Sequence, residues 1–236
     1  MKKMMRDRNF YIYFVVQSTF KYSKMDKQQE QLEAIKDIRN MMERSSKFVS
    51  LSGMAGVIVG CFVILAVTLL CNQLDISIIH STYYIEAISK KDVSGHSYLT
   101  VLMTYALVML IVSFLTGMFM AMRRARKLGI PVWDAATKRM FINLMIPLVT
   151  GGILCLIMLY HQQIAFMAPL TLIFYGLALV NASKYTIDHI RMLGLMEILL
   201  GLIGCLMLDY SLLIWTLGFG VLHIFYGITF YLKFEK

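Results

Sequence analysis

Charge is scarce in this sequence: only 16% of its 236 residues are Asp, Glu, Lys or Arg, where a soluble domain carries about 25%. Proline occurs three times and tryptophan twice. Cysteine is limited to four residues, Cys61, Cys71, Cys155 and Cys205. They form no CxxC pair and have no histidine at metal spacing, so neither a disulfide scaffold nor a metal site is supported. Each reads as a small apolar side chain. Catalytic signatures are missing as well. No histidine begins an HExxH, and there is neither a GxSxG elbow nor a P-loop. Gly218, Gly220 and His223 do not complete a GxGxxG. A haem held between helices needs two deep histidines, and His223 alone qualifies. The expectation is a protein without cofactor, metal or catalytic residues, read as non-enzymatic.

What is present is apolar. Hydrophobic residues make up 58% of the chain, and the mean hydropathy is +0.67. That excludes a disordered chain, which needs low hydropathy, and it points away from a water-soluble globule. A bilayer crossing needs about 20 apolar residues. Six stretches qualify: Val49–Cys71, Leu99–Met122, Met140–Tyr160, Ile164–Ala182, Ile190–Leu208 and Ser211–Leu232. They do not alternate apolar and polar residues as barrel strands do, so each is a helix. The predicted fold is an all-α integral membrane protein of six transmembrane helices arranged as three antiparallel hairpins, over residues 49–236.

The basic residues orient it. Residues 1–48 hold eleven Lys or Arg, the Arg123–Arg139 loop six, the segment with Lys184 and Arg191 two, and the tail with Lys233 and Lys236 two. With six crossings these regions share one side, and the other side holds only Lys90 and Lys91. The positive-inside rule then puts both termini in the cytoplasm. The formal charge of +9 therefore reads as a belt that sets topology, and nucleic acid is not an expected partner. Arg123, Arg124, Arg126 and Lys127 are candidate contacts to anionic lipid headgroups.

Residues 1–24 differ from the rest and read either as a disordered extension or as a mis-assigned one, with translation then expected to begin at Met25. Asp26 and Gln29 suit a capping box. Residues 25–48 read as an amphipathic helix, with Leu32, Ile35 and Met42 at helical spacing. It suits a cytoplasmic protein partner or the membrane surface, or serves as a solvated extension. The long outer loop carries Asp75, His80, Tyr83, Tyr84, Glu86, Asp92 and His96, with a short interfacial helix a candidate around Ile76–Ile88.

The last two helix pairs look alike. Cys155-Leu156, Tyr160 and Ile164 match Cys205-Leu206, Tyr210 and Ile214, and Ile173-Phe174-Tyr175-Gly176 matches Ile224-Phe225-Tyr226-Gly227. A two-helix unit keeps its orientation, so this is a direct repeat. Small residues at four-residue spacing, Ser52, Gly56 and Gly60 on the first helix and Ser113, Gly117 and Ala121 on the second, suit close packing within the bundle or a homo-oligomer.

Glu197 is the one acid well inside the membrane and His223 the one deep histidine. Each lies thirteen residues from Tyr210, so both sit about 20 Å from that turn and can meet. A lone charge in lipid is costly, so Glu197 must be protonated or paired. The Glu197–His223 pair reads as a structural clasp or as a proton or cation site. Asn143, Thr150, Thr171, Tyr175, Asn181 and Tyr226 are further intramembrane polar groups. Pro147 and Pro169 interrupt the ladders of their helices, and Pro147 with Gly151 and Gly152 forms a candidate helix break of the kind that lines transporter sites.

Several stretches resemble a family of small, uncharacterised multi-pass membrane proteins of bacteria. They are Met42 to Phe48, Ile146 to Gly152, Ile173 to Gly176 with Asn181 to Tyr185, and Gly218 to His223. The resemblance runs from about Met25 to the C-terminus and implies a bacterial inner membrane. It carries no agreed activity. Two functions are expected from these residues: a structural or regulatory membrane component, or a small transporter or channel using the Glu-His pair.

Overall fold

Backbone polar groups in hydrocarbon must bond within their own segment, and every element among the described residues is helical, with no β-strand. The computed structural model describes residue 35 and residues 52–79, 97–129, 131–186 and 189–235. The expectations for residues 1–24, for residues 25–48 apart from a helical Ile35, and for His80, Tyr83, Tyr84, Glu86, Asp92 and His96 lie outside the described residues.

The chain forms α1 (Gly53–Leu74), α2 (Tyr98–Lys127), α3 (Ala135–Tyr160), α4 (Met167–Ala182), α5 (His189–Leu206), α6 (Ser211–Thr216) and α7 (His223–Phe234). Short 3₁₀ turns precede and follow α4 and precede α6, and a π-helical turn, Leu217–Leu222, joins α6 to α7. Among the described residues, six helical stretches are long and apolar enough to cross a membrane: α1, α2, α3, Ile164–Tyr185, α5 and Leu208–Lys233. The 30 residues of α2 span about 45 Å, more than a hydrocarbon core of about 30 Å, and its charged residues, Arg123, Arg124, Arg126 and Lys127, all fall at its C-terminal end.

Caps explain several boundaries. Asp75 ends α1 in the left-handed conformation, with φ 54°, and the Tyr98 hydroxyl donates to the Leu74 carbonyl at 2.9 Å. Ser97 starts α2 by accepting from the Thr100 amide at 3.2 Å. Asp134 starts α3 by accepting from the Thr137 amide at 2.7 Å and its hydroxyl at 2.6 Å. Within the spans, several threonine hydroxyls find partners on their own helix. Thr68, Thr104, Thr150 and Thr216 each donate to the carbonyl four residues earlier, which hides a polar group without a neighbouring chain.

The helices pack in two groups bridged by the last crossing. α1 packs on α2, on α7 and on the π-helical turn, and α4 packs on α3 and, most extensively, on α5. α6 lies against α4 and α5. Val63, Val67 and Leu212 form one buried cluster, and Leu70, Leu74 and Val101 another. The outward faces are apolar: Leu107, Leu110 and Phe119 of α2 and Ile142, Val149 and Leu156 of α3 are exposed. Helix faces lined by exposed apolar side chains suit lipid and not water.

The expected break at Pro147, Gly151 and Gly152 does not occur. α3 is a continuous α-helix from Ala135 to Tyr160. Pro147 cannot donate to the Asn143 carbonyl four residues before it. The Asn181 side-chain amide of α4 donates to that carbonyl instead, at 2.9 Å, so no orphan acceptor remains to force the helix open. Gly151 is a packing point, with the Phe174 side chain lying where a Cβ would sit, and Gly152 faces open space. Pro169 is also no interruption, because it falls in the first turn of α4, where amides lack intrahelical partners anyway. The irregular turn in these spans is instead Leu217–Leu222.

Candidate functional site

α5 carries Glu197 at its middle, and α7 begins with His223. The structure brings them together: Glu197 Oε1 lies 3.2 Å from His223 Nδ1. Glu197 is 0% exposed and His223 6%. The π-helical turn makes the meeting possible. It sets the His223 ring against the carbonyl of Gly218 five residues earlier, with Nδ1 to O at 3.0 Å. Gly218 itself must lack a side chain, because a Cβ there would sit 2.6 Å from both Glu197 Oε2 and Leu172 Cδ2. The carboxyl group is thus seated on the backbone of the π-helical turn.

Tyr175 of α4 completes the cluster, its hydroxyl 3.0 Å from His223 Nε2. Phe219 stacks on the imidazole with centroids 5.7 Å apart and packs on Tyr175 at 5.0 Å. Trp215 packs on Phe219 at 4.9 Å and donates to the Thr171 hydroxyl at 2.9 Å. The sequence pairs Glu197 with His223 by their equal distance from Tyr210. It leaves Tyr175 and Gly218 unassigned to the pair, although the Tyr175-Gly176 match to Tyr226-Gly227 singles out that tyrosine.

The hydrogen bonds decide the tautomer of the neutral imidazole. The Gly218 carbonyl can only accept, so Nδ1 carries the proton. Nε2 then accepts from Tyr175 when the ring is neutral. Both ring nitrogens are committed to protein partners. The Glu197 contact is close enough for electrostatic attraction, yet neither carboxyl oxygen has a hydrogen-bond partner, because the Nδ1 proton is aimed at Gly218. Two states keep the cluster neutral: a protonated Glu197 beside neutral His223, or a carboxylate beside an imidazolium whose Nε2 proton is given to Tyr175.

No protein-family model, curated protein or solved structure matches the chain. Among the described residues, no group of three His, Cys, Asp or Glu is placed to hold a metal ion. The four cysteines are all free thiols.

The basic cluster at the end of α2 divides. Arg123, Arg126 and Lys127 are exposed. Arg124, expected as a headgroup contact, is turned inward: its guanidinium pairs with Glu235, both side chains being 14% exposed, and lies 5.6 Å over the Phe230 ring. Glu235 also accepts from the Gly53 amide at the start of α1 and lies 3.4 Å from the Ser52 hydroxyl. Its carboxylate at a helix N-terminus meets the positive end of the α1 dipole.

Proposed function

We propose that this chain is a non-enzymatic structural or regulatory component of a bacterial cytoplasmic membrane, with both termini cytoplasmic, in which Glu197, His223 and Tyr175 clasp three crossings together. One observation carries the reading: both imidazole nitrogens are tied to protein partners in a sealed site. A relay through this ring needs the Glu197 carboxyl hydrogen-bonded to one of its nitrogens, and Nδ1 instead faces Gly218 while Nε2 faces Tyr175. The 21 basic residues assigned to one side against two on the other support the orientation. Residues 26–48 supply a segment for a cytoplasmic partner.

The hairpin and direct-repeat organisation belongs to the same proposal. It is supported by matched packing of the matched glycines. A Cβ on Gly176 would sit 2.5 Å from the Gly194 carbonyl of α5, and one on Gly227 2.5 Å from the Gly53 carbonyl of α1. The four-residue face of α1, with Gly56 and Gly60, is spent inside the chain against α7 and the π-helical turn.

A second reading, a small proton-coupled transporter, is favoured by the two Glu197 oxygens that have no hydrogen bond. Buried acids in membranes are functional candidates by default. The two readings separate in proteoliposomes carrying a pH-sensitive dye. The clasp predicts that wild type and Glu197→Gln pass protons no faster than empty vesicles. Proton flux in wild type that Glu197→Gln abolishes, with the variant still folded, would replace the clasp by transport.

A further inference from the structure

We propose that the cavity between the start of α1 and the C-terminal ends of α2 and α7 binds the phosphate headgroup of one anionic diacyl lipid. The cavity measures about 360 Å³, within the range of small-molecule sites. Its charged wall is Arg123, Arg124, Lys127 and Glu235, and its apolar wall includes Met54 and Met120. Arg124 and Glu235 neutralise one another. Arg123 and Lys127 remain as surplus cations, one helical turn apart on one face of α2.

That face continues downward in the same four-residue register. Phe119 and Leu115 come one and two turns before Arg123, and both are exposed, at 60% and 52%. The stripe therefore presents two cations above an apolar track, which is the shape of a phospholipid with its acyl chain along the helix. A soluble phosphate would use the cations and leave the track idle. Basic pockets between membrane helices take anionic lipid headgroups in this way. Arg126 is not part of the cavity wall, which makes it an internal control.

This inference rests on the reading of the chain as membrane-inserted, which resistance to alkaline extraction from membranes tests separately. The full chain, purified in a neutral detergent, is offered phosphatidylglycerol, phosphatidylcholine or inorganic phosphate, and bound ligand is counted by native mass spectrometry. Wild type should retain phosphatidylglycerol over phosphatidylcholine. Each surface cation contributes a factor of about five, so Arg123→Gln with Lys127→Gln should cost roughly thirtyfold in affinity. Arg126→Gln should cost nothing. Arg123→Lys with Lys127→Arg keeps the charges and should restore retention, which separates lost binding from lost fold. Equal loss in Arg126→Gln would show a diffuse belt and overturn the site. Absence of any preference for the anionic lipid in an extraction-resistant protein would also overturn it, while leaving membrane insertion standing. Inorganic phosphate binding as tightly as phosphatidylglycerol would overturn the lipid assignment.

Discussion

Two tyrosines at matched positions have opposite circumstances, and that difference is measurable one atom at a time. The Tyr175 hydroxyl bonds His223 Nε2 at 3.0 Å, whereas the Tyr226 hydroxyl is buried with no hydrogen-bond partner. Tyr175→Phe strands a ring nitrogen and should cost about 1 kcal/mol, near the range for interhelical bonds in membranes. Tyr226→Phe removes an unsatisfied group and should be neutral or stabilising. Thermal midpoints in detergent check both, and equal costs would sink the contrast. Outside the spans, the Thr137 hydroxyl, with its amide, holds the Asp134 carboxyl below the ordinary aspartate range, with partial burial opposing it. A depressed folded value means the cap's contribution is complete above the ordinary range near pH 4 and fades as pH falls through the lower folded value. At neutral pH, Asp134→Ala should cost about 1 kcal/mol. The gap between wild type and variant should close in acid, and a gap that widens there would contradict the assignment.

At the scale of the element, glycine has two uses in these helices. Gly60 faces the Gly220 carbonyl of the π-helical turn, where a Cβ would sit 2.5 Å away. Gly152 has nothing within 4 Å. Gly60→Ala should therefore destabilise by about 1–3 kcal/mol, as overpacking does. Gly152→Ala should be neutral or gain up to about 1 kcal/mol of helix propensity. Chemical denaturation in mixed micelles reads both, and a stable Gly60→Ala would mean that α1 and the π-helical turn can part cheaply. This contrast also shows what the residues could reveal in advance. The small face of α1 is visible as Ser52, Gly56 and Gly60 because helical periodicity is local. Pro147 beside Gly151 and Gly152 suggests a break, because the donor that repairs it, Asn181, lies 38 residues beyond the Asn143 carbonyl it satisfies. Whether a glycine is a hinge or a contact depends on its neighbour, which local spacing does not contain. The π-helical turn was hidden for the same reason: its glycines, Gly218 and Gly220, acquire meaning from Glu197, Leu172 and Ile64 across the bundle.

For the whole molecule, the six helices were legible because lipid imposes a length and a composition on each of them. Which helices pack was not, since every apolar face resembles every other to a hydrocarbon solvent. The order is set by rarer features, and Glu235 is the most economical of them. One carboxylate near the end of α7 receives the Arg124 guanidinium of α2 and the Gly53 amide of α1, so it joins three crossings at their basic end. At 14% exposure on each side, the pair is screened less by salt than a surface pair. Its value is therefore expected at about 1 kcal/mol, the upper end of the range for exposed pairs. A double-mutant cycle isolates it. Arg124→Ala and Glu235→Ala should each lower the denaturation midpoint, and the double variant should be less destabilised than the sum by about that amount. Glu235→Ala should cost more than Arg124→Ala, because it also uncaps α1. Additive costs would mean that the ion pair does not hold α2 to the end of α7. The cavity proposed for lipid would then lack its fixed wall, since Arg124 would be as free to meet a phosphate as Arg123.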